Sequence, residues 1–204
     1  MPLKKESVEQ IVFTDQDLEG VQLPYSDALV IILRIGEFDV KKILIDPGSS
    51  AEIMYKPLFR GLGLRIKDLS RAKGPLCGFS GETVVPSGKV TINVKAGTVS
   101  SSTEFFILNA YSSYNAILGR PWLHQMGAVP STLNQRLRFL TPQGVMEIMG
   151  DQLAAKQCLV AAIKQKAQLP QEPKVGSERA NSNYRIRRTA KNASLKRNVR
   201  RSSY

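Results

Sequence analysis

From residue 28 to residue 95, apolar and β-branched residues come in short runs, each closed by glycine, proline, serine or aspartate. That texture predicts strands and turns, not long helices. Residues 29–35 and 40–45 form the first two runs, and Gly36-Glu37-Phe38-Asp39 between them predicts a hairpin turn. The second run ends at Asp46-Pro47-Gly48-Ser49-Ser50, so a strand delivers an aspartate into a tight turn. Residues 51–63 are mixed, with room for one short helical turn that Gly61 and Gly63 end. Residues 72–79 and 82–85 flank Phe79-Ser80-Gly81, which predicts a second hairpin with glycine at its tip. Further strands are expected over residues 90–94, 103–108 and 115–118, the last stopped by Gly119.

Arg120-Pro121-Trp122-Leu123-His124-Gln125-Met126 follows at once and predicts a short helix, because proline near the first helical position gives up an N–H that has no partner there. Residues 136–140 and 145–149, joined by Thr141-Pro142-Gln143-Gly144, predict a late hairpin. Residues 151–166 have helical composition with Asp151 at the N-cap position, and Leu153, Cys158, Leu159 and Ile163 make a weak apolar stripe. From Leu169 onward proline, serine, asparagine, arginine and lysine dominate. Such composition buries too little surface to offset ordering entropy and predicts a disordered tail. The expected division is an N-terminal extension (1–24), one β domain (25–150), a helical linker (151–168) and a basic tail (169–204).

The formal charge of +12 changes meaning once it is located. Residues 170–204 carry +8 of it, which leaves +4 for everything before them. The tail is read chiefly as solvated; contact with nucleic acid through Arg185, Arg187, Arg188, Arg197, Arg200 and Arg201 would be electrostatic and without specificity. Cys77 and Cys158 are too few for a disulfide framework or a zinc site, which fits a reducing, intracellular setting. No metal or cofactor is called for. The longest apolar run, residues 28–33, falls far short of the roughly 20 residues that span a bilayer. The start of the chain lacks a signal-peptide core, so a soluble protein is expected. His124, the single histidine, is expected to be a partly buried packing residue, and Trp122 and Leu123 to be core.

Taken alone, Asp46-Pro47-Gly48-Ser49 is an ordinary turn sequence. An ordered set of blocks gives it another meaning. They run from Phe13-Thr14, Asp17 and Gly20 through residues 24–30 and Ile43-Leu44-Ile45-Asp46-Pro47-Gly48-Ser49-Ser50-Ala51-Glu52-Ile53-Met54-Tyr55. Gly78-Phe79-Ser80-Gly81, Ala116-Ile117-Leu118-Gly119-Arg120-Pro121-Trp122-Leu123, residues 127–133 and residues 158–163 follow in order. In these blocks the chain resembles the protease region of plant gypsy-class LTR retrotransposon polyproteins, a branch of the retropepsin-like aspartic peptidases.

The resemblance implies an all-β, closed-barrel protomer with one short helix after the Ile-Leu-Gly-Arg block. It implies Asp46 as catalytic residue in an active-site loop with Pro47, Gly48 and Ser49. A flap of Gly78, Phe79, Ser80 and Gly81, and a supporting strand and helix start at Ile117, Leu118, Gly119 and Arg120, are implied as well. Because one chain supplies one such aspartate, it implies a homodimer, acting on polypeptide substrate such as the element's own Gag-Pol, in the cytoplasm or in virus-like particles. Gly48 is expected to let the loop turn tightly, and Ser49 to hydrogen-bond the carboxylate. The chain departs from the family at Pro47, where threonine or serine is usual. Proline has neither the hydroxyl nor an N–H, so the lock that this hydroxyl forms across the dimer axis is missing. The alternative reading is therefore an inactive relic or a dimerisation or binding module. At the position where retroviral relatives carry an acid to pair with Arg120, this chain has Ser50.

Overall fold

A computed structural model describes residues 9–23, 26–78 and 81–168. All of them belong to one unit, Met1–Leu169; the tail expected over 169–204 lies outside the described residues. The described part is mostly β. Its strands are β1 (Val30–Ile35), β2 (Phe38–Ile45), β3 (Glu52–Tyr55), β4 (Leu76–Cys77), β5 (Thr83–Val84), β6 (Gly88–Ala96), β7 (Val99–Leu108), β8 (Ala116–Leu118), β9 (Val129–Ser131), β10 (Arg136–Thr141) and β11 (Gly144–Met149). The helices are α1 (Lys56–Gly61), α2 (Arg120–Met126) and α3 (Gln152–Gln168).

Six strands close a barrel in the order β1-β2-β8-β3-β7-β6, as the all-β closed-barrel expectation requires. Alternation along the strands fills it. In β7, Ser101, Thr103, Phe105 and Ile107 point inward while Ser100, Ser102 and Glu104 between them are exposed. Trp122 of α2 plugs the interior at 1% exposure. Its indole N–H donates to Ser101 Oγ at 2.9 Å, and Ser101 in turn lies 3.2 Å from Thr103 Oγ1. The inward polar pair is thus satisfied, as a buried polar group must be if it is not to destabilise the fold.

The path of the chain departs from the pattern at the first turn, at β3 and β9, along β6 and β7, and on α3. The first hairpin turn is tighter than expected: only Gly36 and Glu37 turn, and Phe38 and Asp39 already pair with Ile35 and Arg34. β3 and β9 lie outside the expected strands, because Glu52–Tyr55 and Val129–Ser131 are too short to show a period of two. β6 and β7 are longer than their apolar runs, since backbone pairing of Lys95 with Ser100 and Ala96 with Val99 carries the ladder past the apolar positions to a turn at Gly97. Of the expected stripe on α3 only Cys158 is buried: Leu153, Leu159 and Ile163 are exposed, and the other buried positions are Ala154 and Ala155, both packing on Val30. Small residues win there because they let the helix approach the barrel. Asp151 does cap it, accepting the Ala154 N–H at 2.9 Å.

Before the barrel, residues 12–17 lie on the β10–β11 hairpin, and Gln22 bonds Gln152 and Lys156 of α3. Asp17 forms charge-assisted hydrogen bonds with Arg138, whose guanidinium also stacks on Phe13 at 4.8 Å and pairs with Glu147. Arg136 joins the same network through Glu147 and the Asp17 carbonyl. The Arg138 and Thr14 hydrogen bonds hold the Asp17 carboxyl down at about 2, from an ordinary 3.8.

Candidate active site

β8 is the reason the aspartate loop has its shape. It lies between β2 and β3, parallel to the first (Ile45 opposite Leu118) and antiparallel to the second (Ile53 opposite Ile117). Consecutive strands β2 and β3 therefore cannot join by a plain hairpin. Residues 46–51 must cross over the carboxyl end of β8, and at the crossing there is room for glycine only. A Cβ on Gly119 would lie 2.7 Å from the Ser49 carbonyl oxygen and 2.9 Å from that of Ala51.

Three hydrogen bonds staple the crossing loop to residues 118–122. The Asp46 N–H donates to the Leu118 carbonyl at 3.0 Å, and the Arg120 N–H to the Ser49 carbonyl at 2.9 Å. At the far end the Trp122 N–H donates to Glu52 Oε1 at 2.8 Å. Of the groups in the three bonds, the Glu52 carboxyl alone can titrate. It is 6% exposed, and burial raises its pKa above the usual carboxylate value, against the lowering effect of the Trp122 N–H.

Within the loop, the Gly48 N–H donates to Asp46 Oδ1 at 2.9 Å. This is the two-residue-on hydrogen bond that aspartate makes at a turn, and Pro47 between them suits it by fixing its own φ. A Cβ at Gly48 would sit 3.0 Å from the same carboxylate oxygen, so glycine clears the space the acid occupies. Ser49 does not orient the acid as expected. Its hydroxyl donates to the Ala51 carbonyl at 2.7 Å and so shapes the loop's exit.

Asp46, half-buried, opens into a cleft of about 430 Å³ with Gly48, Ser49, Ser50, Ala51, Ile53 and Ile117 on one side and Leu76, Cys77 and Gly78 on the other. The second wall is the expected second hairpin: β4 pairs with β5, and the Gly78 N–H donates to the Glu82 carbonyl at 2.8 Å. Phe79 and Ser80 of that flap lie outside the described residues; Gly81, at φ +87°, is exposed. The structure thus brings together the aspartate loop, the flap base and Ile117. Leu118 and Gly119 lie beneath the loop as its support. Pro47 and the Arg120 side chain are exposed, and Arg120 serves through its backbone.

Glu52, Ile53, Leu76 and Cys77 carry no chemical motif, which is why sequence reasoning passes over them as site residues. The one sign of Glu52 in the sequence is an acid set between the apolar Ala51 and Ile53 just after the aspartate turn. His124 is exposed instead of partly buried, because α2 turns Trp122, Leu123 and Met126 to the core. Cys77 is exposed. Among the described residues no group of three or more His, Cys, Asp or Glu converges as a metal-binding set. No helix among them is long and apolar enough to cross a membrane.

Among solved structures the chain is similar to the retroviral protease-like domain of Ddi1 from Leishmania major, at 15% identity and TM-score 0.49, over 62% of this chain and 96% of that one. It is similar to the EIAV protease in complex with the inhibitor HBY-793, at 18% identity and TM-score 0.44, over 54% and 99%. A retropepsin-like aspartic protease from Rickettsia conorii is similar at 15% identity and TM-score 0.40, over 58% and 80%. No protein-family model matches the chain. No curated protein matches it by sequence.

Proposed function

We propose that the chain is one protomer of an aspartic endopeptidase, in which Asp46 of two copies hydrolyses peptide bonds through a shared water. The observation that carries this reading is the Asp46 carboxylate, fixed by the Gly48 N–H and facing a cleft whose opposite wall is a β-hairpin. A single carboxyl cannot be base and acid in the same step. A symmetric dimer brings a second one beside it, since a residue near a two-fold axis meets its own copy. Two carboxyls about 3 Å apart cannot both ionise cheaply, so they share a proton. The ionised one takes a proton from the water, the water attacks the scissile carbonyl, and the protonated one stabilises the oxyanion. Ile53, Ile117 and Leu76 around the acid offer apolar walls to an extended polypeptide, and closure of the flap excludes bulk water.

The sequence blocks support a finer origin, the protease region of a plant gypsy-class LTR retrotransposon, with Gag-Pol as substrate and residues 169–204 as a basic segment beyond the protease. Incubating the protein with an unfolded polypeptide at about pH 4 to 6, where a shared-proton pair operates, tests the reading. We expect cleavage by the wild type and none by Asp46→Ala. Equal cleavage by both removes Asp46 from the chemistry.

Pro47 favours a second reading, a dimerisation or binding module that no longer cleaves. The absent hydroxyl removes a cross-axis hydrogen bond, worth on the order of 1 to 3 kcal/mol when buried. If that loss alone silences the site, Pro47→Thr creates cleavage where the wild type has none.

A further inference from the structure

Residues 56–73 contain Lys56, Arg60, Arg65, Lys67, Arg71 and Lys73 against Asp68 alone, a net +5. Residues 1–169 carry +4 in all, so without this segment the rest of the body is close to neutral, at −1. The positive charge of the folded unit is therefore concentrated on one stretch of chain.

That stretch is held firmly. Phe59 is buried, and Leu58, Leu62, Leu64 and Leu69 pack against the core. At its end, Ser70 and Lys89 exchange two backbone hydrogen bonds of 2.8 and 2.9 Å. With its apolar residues turned in, the segment turns Arg60, Arg65, Lys67, Arg71 and Lys73 out to solvent. Among the described residues none of the six cations forms an ion pair or a side-chain hydrogen bond, whereas Lys89, Arg136, Arg138 and Lys156 all do. Asp68 pairs with none of their side chains; its carboxylate accepts the Arg65 backbone N–H at 2.7 Å.

We propose that this exposed segment binds the phosphate backbone of nucleic acid, without reading sequence. Spread cations that outnumber their one acid six to one suit a polymer of regularly spaced negative charges, and arginine matches phosphate by geometry. A lipid surface fits less well. It calls for an apolar face beside the charges, and Ile66, at 80% exposure, stands alone. The segment's one aromatic ring, Phe59, is buried, so there is no stacking platform for bases. This surface is independent of the Asp46 cleft and of any activity there.

The test is binding of the full chain to a fluorescent duplex DNA of arbitrary sequence across a salt series. Each neutralised phosphate contributes about 0.9 to the slope of log K against log salt. Changing Arg65, Lys67, Arg71 and Lys73 together to glutamine is expected to make the slope shallower by roughly 2 to 4, as two to four phosphates go without a cation. Exchanging arginine and lysine at the same positions should keep the slope. If the fourfold variant does not fold, Arg71→Gln with Lys73→Gln should still lower the slope by about 1 to 2. An unchanged slope in the neutral variants would assign all binding to residues 170–204 and overturn the proposal. So would a loss of slope in the charge-preserving variant, or a greater loss of binding to phosphatidylserine vesicles or polyglutamate than to duplex.

Discussion

At the scale of single residues, two positions, Gly119 and Glu52, hold the stretch that carries Asp46 against residues 118–122. Gly119 is demanded by the crossing of the aspartate loop over β8, where both near neighbours are backbone oxygens that cannot swing aside. Gly119→Ala is expected to cost about 1 to 3 kcal/mol, the usual penalty of overpacking, seen as a lower urea midpoint. Gly61→Ala, where a Cβ meets nothing within 4 Å, is the control and should leave that midpoint unchanged or slightly raised. Glu52 is a buried acid whose pKa is raised above 4.5 by burial, so folding favours its protonated form. Its contribution to stability is full at low pH and is lost as pH rises from 4.5 through the folded value. Melting temperatures of wild type and Glu52→Gln over that interval should therefore converge toward acid pH and diverge above it, to the disadvantage of the wild type. Parallel curves would contradict the buried, titrating anchor.

Elements differ in how far their residues announce them. The strands with a run of inward apolar residues, β1, β2 and β8, and the helix opened by Arg120-Pro121, are legible because local preference and tertiary burial agree. β3 is not, since its four residues include Glu52, whose burial makes sense only once α2 supplies an N–H. The serine-rich start of β7 is equally silent: Ser101 and Thr103 face inward because Trp122, far along the chain, brings a donor. Of the site, the aspartate turn and the flap base are readable from residue types, while the staple between residues 46–52 and 118–122 is a fact of topology. The N-terminal segment is another such case. Asp17 ties it to Arg136 and Arg138 on β10, and its carboxyl lies near 2 instead of 3.8. A depressed acid stabilises the fold above its unfolded value, and that contribution is lost as pH falls from about 3.8 toward 2. Asp17→Asn should remove the loss in that interval and, at neutral pH, expose residues 9–23 to limited proteolysis. Resistance equal to wild type would mean the charge network does not hold the segment.

For the whole molecule, one closed barrel presents one aspartate in a cleft, and the chemistry proposed for it needs two. The half-site makes activity a property of concentration as well as of sequence. In the proposed dimer Pro47 has no side-chain hydroxyl to donate across the axis, so dilution should separate the copies at accessible concentrations. The most direct measurement is the initial rate of polypeptide cleavage against protomer concentration, repeated with increasing Asp46→Asn protein at fixed wild type. We expect the rate to rise with roughly the square of concentration when protomers are dilute, and the inactive copy to suppress it by forming mixed dimers. A rate strictly proportional to concentration and indifferent to the Asp46→Asn copy would contradict paired Asp46 as the catalytic unit.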